Sequence, residues 1–149
     1  MRPGKAWLVA GGLLSAAAAI LHLAVIAGGP DWYRFFGAGE AMARMAERGL
    51  LQPALITLGI AAILGIWAAY AFSGAELIRR LPLLRTALVL ISAIYLVRGL
   101  ALLPMLAFRP QLLTQFDVWS SLIVLGYGAA YAVGTWRAWP SLSTRSSDA

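Results

Sequence analysis

The chain has 149 residues, of which 61% are hydrophobic and 12% charged, with a mean hydropathy of +0.79. An ordinary soluble domain carries about 25% charged residues, so this composition excludes a soluble globular fold and points to lipid as the solvent. The net charge of +6 does not mark a nucleic-acid binder, because the basic residues stand singly or in pairs between apolar runs, and the lack of cysteine excludes disulfides and thiolate metal sites.

The first apolar run covers residues 6–28 and follows Arg2 and Lys5, as a secretory signal would. It is longer than the roughly 7–15-residue apolar core of a signal peptide, and it reads as a retained first span. Within residues 6–21 the one polar side chain is Ser15, whereas a soluble amphipathic helix would carry a polar stripe. Residues 29–51 form an outer loop, opening with the aromatic group Trp32, Tyr33, Phe35 and Phe36. Such a segment is too aromatic for a solvated linker and is expected at the membrane interface, or folded over the bundle mouth as a periplasmic cap. Residues 38–48 predict a short helix stopped by Gly49.

Three more spans follow at about residues 52–72, 83–108 and 117–136. At ~1.5 Å per residue each can cross ~30 Å of hydrocarbon. The expected fold class is therefore all-α: one integral-membrane domain, a four-helix transmembrane bundle over residues 1–140. The polar residues 141–149 are expected to be a disordered tail. With the N-terminus inside, Arg2, Lys5, Arg79, Arg80, Arg85, Arg137 and Arg145 lie inside, while Arg34, Arg44, Arg48 and Arg109 lie outside. This excess places both termini in the cytoplasm. Trp7, Trp136 and Trp139 fall near the same inner level, where indole rings favour the interface.

Small residues recur every four positions as Gly11, Ser15 and Ala19, as Ala61, Gly65 and Ala69, and as Gly126, Ala130 and Gly134. Such faces let helix backbones approach closely in lipid, and predict a compact bundle or a homo-oligomer.

Arg98 is the main clue to function. It stands well inside the third span, where an arginine costs about 2.5–3.5 kcal/mol or more. Helical side chains lean toward the helix N-terminus, here the distant cytoplasmic end, so Arg98 is expected to face the bundle interior. Its partner could be Glu40 or Asp31 from the outer loop. It could equally be the hydroxyls of Tyr95, Tyr127, Thr57, Ser120 or Ser121, or an anionic ligand. His22, the single histidine, lies at a similar depth and reads as a packing residue or a proton-handling group. Asp117 opens the fourth span, where an acid offsets the helix dipole or joins the outer mouth. Pro104 is expected to kink the third span. No metal-binding or cofactor-binding motif is present.

Leu21-His22, Gly28-Gly29-Pro30 and Gly37-Ala38-Gly39-Glu40, set ahead of three further spans, resemble the small bacterial inner-membrane proteins of the DoxX-like four-helix kind. The resemblance implies a bacterial inner-membrane location and this architecture, and no site residue. Three functions are weighed. The first is a binding or accessory protein with an outward pocket lined by Arg98, His22, Glu40, Asp117, Tyr95, Tyr127 and Trp32 for an anionic lipid or small amphiphile. The second is a membrane enzyme on a lipid-like substrate, with His22 as acid or base. The third is a structural subunit of a larger membrane complex.

Overall fold

A computed structural model describes residues 3–143. Arg2, Arg145 and residues 144–149 of the expected tail lie outside the described residues. The described chain is helical, with no strand: α1 (Pro3–Gly28), α2 (Pro30–Phe35), α3 (Glu40–Glu47), α4 (Gln52–Gly74), α5 (Leu84–Leu100), α6 (Leu102–Phe108) and α7 (Gln115–Ser143). Four helical segments are long and apolar enough to cross a membrane: α1, α4, the α5–α6 pair and α7. Their outward faces are as greasy as their inward ones. Ile20 is 67% exposed, Leu55 64% and Val97 69%, a distribution that water would penalise and hydrocarbon would not.

α1 lies along both α4 and α7, and α5 lies along α7, while α4 and α5 meet over a shorter stretch. The core between them is built from Leu8, Leu64, Leu88, Ile91, Tyr95 and Tyr131. Glycine sets the helix separations. A Cβ on Gly4 would stand 2.6 Å from the Ala138 backbone nitrogen, and one on Gly134 2.8 Å from Leu8, so α1 and α7 nearly touch. Gly99 against Leu125 and Gly128 against Leu96 do the same for α5 and α7. The expected small-residue faces are used only in part, because Gly65 and Gly126 face open space.

The segment read as a loop with one short helix contains two. Each ends in a glycine of positive φ, Gly37 after α2 and Gly49 after α3. In both, the glycine N–H and the next N–H turn back onto the helix carbonyls: Gly37 to Arg34 and Ala38 to Tyr33, then Gly49 to Ala46 and Leu50 to Met45. This is the Schellman closure, which satisfies carbonyls the helix end would strand. Tyr33 and Ala43 pack against Val25 of α1 and tie the pair to the bundle. This is the α2–α3 end. The opposite end, holding Lys5, Arg79, Arg80, Arg85 and Arg137, is the basic end.

Of the boundaries that differ from the sequence reading, three matter most. The third span breaks at Ala101, because Pro104 cannot donate to the Leu100 carbonyl and its ring crowds it. α7 starts two residues early, at Gln115. There Asp117 N–H donates to Thr114 Oγ1 (3.2 Å) and Thr114 N–H to Asp117 Oδ2 (2.9 Å), a reciprocal capping box. α7 then runs on past Pro140 to Ser143, so residues 141–143 are helical and not part of a disordered tail.

Candidate functional site

Arg98 does not face the interior. It is exposed on the flank of the bundle, in the last turn of α5. The break at Ala101 makes this a helix C-terminus, whose stranded carbonyls favour a cation. Its hydrogen-bond partner among the described residues is Ser121 of α7, reached by Nη1 at 3.3 Å. Ser121 is buried and follows Asp117 by one turn on the same face of α7. A guanidinium has five N–H donors, and the bond to Ser121 is the one the structure gives Arg98 among the described residues.

The other residues expected around Arg98 are distributed elsewhere. Glu40 belongs to an ion cluster that staples α2 to α3. Arg34 donates to it from Nε (2.9 Å) and Nη2 (3.1 Å), and also to Glu47 (2.6 Å) and Asp31 (3.3 Å). Arg44 adds a further bond to Glu40 at 3.0 Å. These cations hold the Glu40 carboxyl down at about 2, Arg34 contributing most, and the carboxylates push the Arg34 guanidinium up. His22 Nδ1 lies 2.7 Å from the Ala18 carbonyl of its own helix, so this nitrogen is held by backbone. Trp32 covers Gly28 at the end of α1 and sits 5.6 Å from the Phe36 ring. Ser120 donates to the Asp117 carbonyl.

Tyr95 and Tyr127 are drawn into an aromatic cluster at the bundle centre. Tyr95 meets Trp67 edge-on at 4.8 Å and lies 5.5 Å from both Tyr127 and Tyr131. Ser15 Oγ is 2.8 Å from the hydroxyls of Tyr95 and Tyr131, and Tyr131 donates to the Trp67 carbonyl at 3.0 Å. One proton per hydroxyl fixes the direction. Tyr131 spends its proton on Trp67, so Ser15 must donate to Tyr131, and Tyr95 must donate to Ser15. The result is one ordered chain linking α5, α1, α7 and α4.

Ser15, Tyr131 and Arg34 carry these arrangements, and none of them stands out as a site residue in the sequence. A depth count could have found the first two. Ser15, Tyr95 and Tyr131 each lie about 12 residues, roughly 18 Å at helical rise, from the basic end of their helices. Among the described residues no three His, Asp or Glu side chains come together as a metal would require. No family profile, curated protein or solved structure matches the chain.

Proposed function

We propose that this chain is a multi-pass protein of the bacterial inner membrane with a binding or accessory role. In this reading Arg98 receives the anionic group of a lipid or small amphiphile near the outer surface. The observation that carries the proposal is the exposed Arg98, with its one bond among the described residues made to Ser121. In a bilayer an arginine on a helix flank draws polar groups to itself, and Ser121 lies only about 9 Å along α7 from its first residue. That depth is within reach of lipid headgroups. The same proposal sets α2 and α3 at the periplasmic surface, since the opposite end gathers the larger share of basic residues.

The enzyme reading has less support. It needs His22 to meet a carboxylate, and His22, Glu40 and Asp117 are each engaged with neighbours of their own.

The test compares wild type with Arg98→Leu, both purified in mild detergent, by mass spectrometry of co-purifying small molecules. The expected result is an anionic amphiphile retained by wild type and lost from a variant of unchanged helicity. Equal retention by both would overturn the proposal.

A further inference from the structure

The basic end carries a second surface that the Arg98 reading leaves unused. Val89 and Ser92 of α5, with Ala132, Thr135, Trp136 and Trp139 of α7, line an outward-facing groove of about 480 Å³. That volume falls in the range of clefts that take a small ligand. Trp136 stands 78% exposed at its rim.

Two polar atoms beside this groove are buried with no hydrogen-bond partner among the described residues: Thr135 Oγ1 and Arg85 Nε. Threonine 135 is 4% exposed. A helical hydroxyl ordinarily bonds the carbonyl four residues back, as Ser92 does across the groove, donating to Leu88 at 2.7 Å. Thr135 does not. Arg85 lies with its guanidinium carbon 3.9 Å from the centre of the Trp139 ring. Stacking of this kind fixes the guanidinium plane and leaves its edge to bind phosphate in a fork. Arg80 lines the adjoining surface with Arg85, its Nη2 donating to the Leu142 carbonyl. Glu76 is the one acidic side chain among the described residues of this end, and it pairs with Lys5.

We propose that this groove binds one anionic diacyl phospholipid from the surrounding bilayer. Its phosphate lies on Arg85, where Trp139 holds the guanidinium. The Thr135 hydroxyl, one helical turn or about 5.4 Å deeper than Trp139, donates to an ester carbonyl. An acyl chain follows the apolar walls past Ala132 and Val89. The order of groups along the groove, Arg85 on Trp139, then Thr135, then Ala132 and Val89, matches the order of depth in such a lipid: phosphate, then ester, then chain. The inference rests on the proposal that the helices cross a membrane, but not on Arg98.

The test titrates the full chain in mild detergent with phosphatidylglycerol or phosphatidylcholine and counts bound lipid by native mass spectrometry. Each titration is run with and without Arg98→Leu, so that binding at the α2–α3 end is counted apart. Wild type is expected to bind one phosphatidylglycerol about tenfold more tightly than phosphatidylcholine. Arg85→Gln removes that preference. Ala132→Phe, which fills the groove from its partly exposed wall, weakens both lipids and serves if the arginine variant fails to fold. Arg137→Gln, a basic-end cation outside the groove, changes neither. Equal binding of the two lipids by wild type would overturn the proposal. So would an Arg85→Gln protein that behaves as Arg137→Gln does.

Discussion

The hydroxyl chain at the bundle centre makes a quantitative prediction through Ser15→Ala, Tyr131→Phe and the double variant. Ser15→Ala removes the bonds to Tyr95 and Tyr131. Tyr131→Phe removes the bonds to Ser15 and to the Trp67 carbonyl, although that carbonyl keeps its own helix bond. At about 0.6 kcal/mol per interhelical bond in a bilayer, Tyr131→Phe costs about 1.2 kcal/mol, since the freed Ser15 proton can turn to a carbonyl of its own helix. Ser15→Ala costs more, about 2–3 kcal/mol, because the Tyr95 hydroxyl is left buried without its acceptor. The Ser15–Tyr131 bond is lost in both single variants but only once in the double variant. The double variant therefore falls short of the sum by the worth of that bond, about 0.6–1.7 kcal/mol. Reversible unfolding in mixed micelles, followed by far-ultraviolet circular dichroism, measures all four proteins. Strict additivity, or a neutral Tyr131→Phe, would refute the chain.

Two other outcomes follow from particular contacts. Gly11→Val drives a side chain into the Tyr131 ring, which a Cβ alone would approach to 2.9 Å. It should cost about 1–3 kcal/mol, while Gly65→Val, whose Cβ meets open space, should be near neutral in the same unfolding assay. The α2–α3 pair should loosen only in strong acid. Glu40 is held at about 2, below its ordinary 4.5, by Arg34 and then Arg44. A carboxyl depressed in this way stabilises above its unfolded pKa, and that contribution is lost as pH falls through its folded value. Amide protection factors of α2 and α3, corrected for the intrinsic pH dependence of exchange, should therefore hold steady down to about pH 5 and fall toward pH 2. Loosening centred near neutrality would contradict the assignment.

Much of the fold is legible in the sequence because hydropathy reports it directly. Four apolar stretches give four candidate spans, and Gly49 marks a helix stop since its backbone needs a positive φ. The T-x-x-D pattern of Thr114 and Asp117 spells the start of α7, although the apolar run alone places that start at Asp117. Arg98 is harder. The cost of an arginine within a span points it inward, but that cost eases near a span's end, and Arg98 is exposed in the last turn of α5, three residues before the break at Ala101. Arg34 is not legible as a hub, since its carboxylates come from residues 31, 40 and 47, and only the turn between α2 and α3, through Gly37 and Gly39, brings them together.

The central claim is that the side chain at position 98 points out of the bundle, where an anionic amphiphile can reach it. The chain has no cysteine, so Arg98→Cys provides a single nitroxide attachment site without further changes. In lipid vesicles, electron paramagnetic resonance power saturation measures whether that label meets oxygen dissolved in the acyl chains. The account predicts a mobile label with high oxygen accessibility, comparable to one at the exposed Val97. An immobilised label shielded from oxygen would place residue 98 inside the bundle and contradict it.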